Sequence, residues 1–376
     1  MIFEKSQGSA SHALRLSALI RSLKDRLHND HDFYFGPAGR IMFFYGLASL
    51  EDDETDDSRY AEELLVESYK YLRKVRAIPR FSSVPATGWV FCWLTNNGFI
   101  DIDLDTMLED VDLLISNDVQ KNFSIDLING GILSKGSYLI ERFSLTKDVI
   151  NRDKIEESLA YVVDEVEYQF QQMVNSKTRT LANSNDHAVD KRIDAVVSSS
   201  RMYAFLNKCM DIDIYSSKVN SLAQTIAGHI IDQTYLIPSL SSSATEKAGR
   251  LESLLLTLTA IAQSRVPFKE QELFLKFYSE RVAGGLGFDM QNPQISVFSA
   301  IKSLKFSRVL AEKSGSELTR LEEKLFDYLI QSSFTDPATI VGIPSAGLAG
   351  ISGIGLSALE SEGNLSLGWE DALMFY

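Results

Sequence analysis

Glycine-led apolar segments recur along this chain, and their recurrence constrains the fold more than any bulk property does. The fullest, GLAGISGIGLSALE, spans 347–360. GPAGRIMFFYGLA at 36–48 and DLINGGILSKGSYLIE at 126–141 share its grammar of paired small residues followed by an apolar run at helical spacing. Glycine accepts positive φ and lets two backbones approach closely, so such a segment suits a tight turn feeding a buried helix. A single turn of this kind says little. Repeated along a chain, it implies a repeat architecture.

Amphipathic stretches lie between these segments. Leu64, Leu65, Tyr69 and Leu72 share one helix face, as do Leu104, Leu108, Val111 and Ile115, and again Leu321, Leu325, Phe326 and Leu329. Strand signals are scarce. Alternation of wholly apolar with half-polar helices is the pattern of an inner and an outer ring. Inner helices are expected to begin near 37, 87, 130, 197, 254, 298 and 349, a period of roughly fifty residues. The expectation is an all-α chain, a double-ringed α/α toroid of about seven helical hairpins forming one domain over 1–376. The polar stretches 175–191 and 237–249 read as loops within it.

Composition narrows the classes of partner. With 45% hydrophobic and 23% charged residues the chain is globular rather than disordered. Its net charge of −14 argues against nucleic acid or an anionic membrane as the main partner. Cys92 and Cys209 stand apart in sequence and form neither a disulfide framework nor a CxxC pair, as expected of a cytoplasmic protein. The first residues carry Glu4 and Lys5 without an apolar run, so no signal peptide is expected. Ile340 to Leu359 is free of charge and about long enough to cross a bilayer. Pro344 and the glycines and serines within it favour a turn followed by a buried helix, and no membrane span is expected.

The glycine segments resemble those of the lanthionine synthetase C-like family, the zinc-dependent lantibiotic cyclases. GLAGISGIGLSALE followed by Gly368-Trp369-Glu370-Asp371-Ala372-Leu373 is similar to the family's closing repeat. GPAGRIMFF, ATGWVFCWLTNNGFIDID at 86–103 and DLINGGILSKGSYLIER at 126–142 are similar to its first three. The resemblance implies the toroid. In the family a cysteine of repeat five and a Cys-His pair of repeat six hold zinc, which turns a substrate cysteine into a thiolate for addition to a dehydrated residue. A repeat-four histidine serves as acid and base.

This chain departs from the family at those positions. Aligned on the surrounding apolar residues, RIDAVVSSSRMYAFL at 192–206 puts Val197 at the histidine position. RLESLLLTLTAIAQSR at 250–265 puts Leu254 at the first zinc ligand, and QISVFSAIKSLKF at 294–306 puts Ser296 and Val297 at the Cys-His pair. Zinc takes thiolate, imidazole or carboxylate donors, and none of these four residues supplies one. No catalytic residue, metal or cofactor is therefore expected.

Arg192, Asp194, Arg250, Glu252 and Ser296 flank the same turns and are the candidate binding residues of a central cavity, suited to a peptide or a small anion. The remaining candidates have plainer readings. Cys92 and Cys209 read as buried thiols, His187 as a loop residue and His229 as a boundary histidine. Asp101, Asp103 and Asp105 lack the glycine and glutamate of a calcium loop and read as helix-start carboxylates. The tract from Glu51 to Asp57 reads as a solvated turn. The expected function is that of a non-catalytic relative in ribosomal-peptide modification. Its expected partner is a precursor peptide or a modification enzyme, either a dehydratase or an active cyclase. The alternative is a metal-free enzyme using Asp194 and Glu252 as paired carboxylates.

Overall fold

The computed structural model describes residues 17–28, 37–50, 56–78, 83–121, 131–178, 186–235, 244–266, 270–285, 297–314, 318–335, 351–363 and 368–375. Among them all regular structure is helical. The wholly apolar segments fold as α1 (Ala38–Ala48), α3 (Val84–Asn96) and α6 (Ile132–Leu145). They are buried on nearly every face: in α1, Gly39 and Arg40 are enclosed along with Ile41, Met42, Phe43 and Phe44. A helix apolar all round has to be surrounded by other helices, and these are.

Amphipathic partners cover them. On α2 (Asp56–Leu72) the buried stripe is Ala61, Leu64, Leu65, Ser68 and Leu72, while Glu62, Glu63 and Glu67 face water. The short α4 (Leu104–Met107) and α5 (Glu109–Lys121) follow α3, and the long α7 (Val149–Thr178) follows α6. Three helical pairs come next: α8 (Asp186–Asp211) with α9 (Ser216–Tyr235), α10 (Ala244–Ala262) with α11 (Gln271–Gly285), and α12 (Val297–Ser314) with α13 (Thr319–Thr335). The last elements are α14 (Ile351–Gly363) and the short α15 (Glu370–Phe375).

Packing runs along the most buried helices. α1 packs on α3, α3 on α6, α6 on α8, α8 on α10, α10 on α12, and α12 on α14, which packs back against α1. α2, α7, α9, α11 and α13 each lie against the inner helix that precedes them. α15 touches α6, α8 and α12 together.

Three glycines show how the inner helices come so close. A Cβ built on Gly88 would lie 2.5 Å from the Tyr138 ring, one on Gly136 2.5 Å from Phe205, and one on Gly355 2.5 Å from Phe43. Each glycine therefore receives an aromatic ring from the next helix in the series. These three glycines serve close packing inside helices, while the motif glycine Gly131 stands at the start of its helix, as the turn reading expects. Gly98, just after α3, is such a turn glycine, with φ +72°.

Two expectations about helix limits need correction. The helices expected to start at 197 and 254 begin at 186 and 244, about three turns earlier in each case. The stretches 175–191 and 237–249 are accordingly helical at 175–178, 186–191 and 244–249. Their polar residues cover the ends of helices rather than forming one continuous loop. His187 thus lies on α8. The expected first residues of the third and seventh inner helices, 130 and 349, lie outside the described residues.

Candidate functional site

With α8 and α10 beginning earlier, the positions aligned to the family's chemistry fall inside helices. Val197 lies near the middle of α8, half-buried and packed on the core. Leu254 is buried within α10. Val297 opens α12, and Ser296 lies outside the described residues. Hydrocarbon at Val197 and Leu254 offers no lone pair to a metal, so these residues do not fit a zinc ion. Among the described residues no group of three His, Cys, Asp or Glu side chains is placed to hold one.

A charged group occupies the same helices one turn away. On α8, Asp194, Val197, Ser198 and Arg201 follow helical spacing and form one face. Asp194 is exposed, and the face becomes half-buried from Val197 to Arg201. The Arg201 Nε is enclosed and has no hydrogen-bond partner among the described residues. Burial lowers the Arg201 pKa, and the neighbouring Glu252 of α10 offsets this only in part. Glu252 pairs at 3.2 Å with Lys302 of α12. Three successive inner helices thus bring Arg201, Glu252 and Lys302 into one group.

Of the five residues expected at a binding cavity, the structure brings Glu252 into this group. Arg192 is half-buried on α8 and Asp194 lies at the exposed end of the same face. Arg250 belongs to α10, with its side chain outside the described set, as is the whole of Ser296. The Asp194–Glu252 pairing required for acid–base work does not emerge: one is open to water and the other is committed to Lys302. Arg201 and Lys302 were missed. Their signal was present as cations among apolar and small residues, Arg201 within VVSSSRMYAFL and Lys302 (with Lys305) within SAIKSLKF.

A second ionic group anchors α15. Lys208 of α8 pairs with Asp371 at 2.6 Å and with Glu141 of α6 at 3.7 Å. Burial opposes the Lys208 charge, but Asp371 and Glu141 outweigh it and raise its pKa. Glu141 is raised chiefly by burial, against the pull of Lys208. Lys305 of α12 contacts Glu360 at 2.7 Å and Glu370 at 3.2 Å, and its ammonium lies 5.4 Å from the centre of the buried Trp369 ring. Every charge here has a counter-charge, and the apolar face of α15, Ala372 to Phe375, is buried. This group fastens a segment.

The remaining sequence candidates are structural. Asp103 caps α4, accepting from the Asp105 N–H at 3.1 Å and the Thr106 hydroxyl at 2.7 Å. Asp105 accepts from the Thr146 hydroxyl at 2.5 Å and from the Lys147 and Asp148 N–H groups at 2.8 and 3.1 Å, at the approach to α7. Asp101 is exposed ahead of this short helix. Cys92 and Cys209 are buried, and burial raises both thiols, which removes the thiolate that nucleophilic chemistry needs. The half-buried His229 meets the Phe170 ring edge-on at 5.3 Å. Of the tract Glu51–Asp57, Asp56 and Asp57 begin α2 and the rest lies outside the described residues; Asp57 is buried and pairs with Lys24.

No family model matches the chain, and neither a curated protein nor a solved structure matches it significantly. Among the described residues no helix is long and apolar enough to cross a membrane.

Proposed function

We propose that the chain is a lanthionine synthetase C-like α/α toroid that binds a precursor peptide or a modification enzyme in lanthipeptide-type ribosomal-peptide modification, without forming thioethers itself. The toroid reading is supported by the packing of the inner helices, each on the next, with α14 against α1. It is supported also by the aromatic–glycine contacts made by motif glycines of three of those helices. The function rests on one contrast: the segments that shape the inner helices are kept, while Val197 and Leu254 stand where histidine and a zinc ligand would act.

Without a metal-held thiolate, what such a protein offers is recognition. Arg201, Glu252 and Lys302 are its charged recognition group, and the acidic surface suits a basic partner segment. The reading places the protein in a reducing cytoplasm, beside a dehydratase and an active cyclase. The carboxylate-enzyme alternative loses its two proposed residues to solvent and to Lys302.

The test uses the full-length protein with a small Ser/Thr/Cys-rich precursor peptide, a dehydratase and an active zinc cyclase of the lanthipeptide type. Isothermal titration should give saturable binding to one of them, and zinc addition should produce no thioether in dehydrated peptide. Stoichiometric zinc required for cyclisation would overturn the proposal, as would absence of binding to peptide, dehydratase and cyclase alike.

A further inference from the structure

Arg201 is the least compensated charge in the candidate site. Its guanidinium stays protonated at any physiological pH, so burial cannot relieve the cost by neutralising it. Its Nε is enclosed without an acceptor. The opposite charge that acts on it, Glu252, is already held by Lys302. A donor buried beside a shared carboxylate favours an incoming acceptor, because the desolvation cost has been met by the fold.

The local charge selects the kind of acceptor. Arg201 and Lys302 contribute two positive charges and Glu252 one negative, so the group carries a net +1. That balance suits a monoanion. A phosphate dianion would bring its second charge against Glu252, whereas a carboxylate matches the group and the planar fork of arginine. The α8 face that carries Arg201 runs from exposed Asp194 past half-buried Val197 and Ser198.

We infer that Arg201, which shares the Glu252 carboxylate with Lys302, forms a binding subsite for a single carboxylate of a peptide ligand, and that Glu252 limits the site to one negative charge. The peptide origin of the carboxylate rests on the proposed function; the carboxylate subsite does not. Two sources share this chemistry, a chain-terminal carboxylate and an acidic side chain.

The experiment titrates the full-length protein, at low chloride, with N-acetylalanine and with N-acetylglutamic acid α-amide. N-acetylalaninamide and inorganic phosphate are titrated in parallel. One carboxylate compound should bind at one site per chain and raise the unfolding temperature, and the compound that does so identifies the source. Arg201→Gln should weaken it at least tenfold, Lys302→Gln several-fold, and Glu252→Gln should admit phosphate. Arg201→Lys, which keeps the charge and the fold, should retain weak binding without the fork geometry.

Carboxylate binding unchanged in Arg201→Gln would overturn the inference. So would equal binding of the neutral amide, phosphate binding more tightly than either carboxylate, or no binding of any compound. If Arg201→Gln does not fold, unchanged binding in both Arg201→Lys and Lys302→Gln overturns it equally. Carboxylate binding alongside failure of every peptide and enzyme partner would keep the subsite and remove the proposed function. Partner binding that ignores Arg201 would do the reverse.

Discussion

Asp105 and Asp112 show how acidic residues that resemble a ligand set can serve packing instead. Burial would raise the Asp105 carboxyl, but the Thr146 hydroxyl, the Lys147 N–H, Arg142 and the Asp148 N–H outweigh it and bring its pKa to about 2. A folded-state pKa below the usual carboxylate value near ~3.9 means that this stabilisation is complete above about pH 4 and is lost as the pH falls towards 2. The shift corresponds to about 2 kcal/mol. Asp105→Asn should therefore lower stability at pH 7 and flatten the loss between about pH 4 and 2, as read by urea unfolding across pH. Asp112 accepts from the Tyr138 hydroxyl at 2.6 Å, from Arg142 at 2.8 Å and from Asn151 at 2.9 Å, all in the interior. Asp112→Ala leaves a buried guanidinium short of its main acceptor and should cost about 3–5 kcal/mol in denaturant unfolding. The run Asp101, Asp103, Asp105 showed that carboxylates stand at a helix start. It could not show that Asp105 would reach the approach to α7, since that contact spans 42 residues.

At the scale of the element, the sequence was most legible where helices are either apolar throughout or clearly striped. The stripe Leu64, Leu65 and Leu72 is the buried face of α2, and Leu321, Leu325, Phe326 and Leu329 are buried on α13. Helix limits were least legible in α8 and α10, because polar residues at an exposed helix end read like a loop until a partner helix is seen to cover the rest. The motif glycines give a test with an unusual sign. Gly to Ala inside a helix ordinarily stabilises by about 1 kcal/mol. In α14, Gly355→Ala would drive a Cβ to 2.5 Å from the Phe43 ring of α1, so the clash should prevail and destabilise by about 1–3 kcal/mol. Pairing it with Phe43→Leu should recover part of the loss, and a double-mutant cycle in urea checks the coupling. A stabilised Gly355→Ala protein would mean that α14 and α1 do not meet there.

For the whole molecule, the proposed toroid explains why charge appears inside otherwise apolar helices. α8, α10 and α12 each bury most of their surface, yet each turns a charged residue towards the others. α15 is held the same way, by Lys208 and Lys305 through Asp371 and Glu370, with Trp369 buried at its start. Trp369→Ala should cost about 3–5 kcal/mol and uncouple α15 from α12, visible as a lower thermal midpoint. The sequence by itself determined the helical class and separated helices buried on every face from those buried on one, because that burial writes itself into apolar periodicity. Only the tertiary structure decided that Arg201, Glu252 and Lys302 come together, that Asp194 stays at the exposed end, and that Gly88, Gly136 and Gly355 each accept a neighbour's ring. These are contacts between residues about fifty apart or more, and the spacing within one helix carries no information about the helix it will meet.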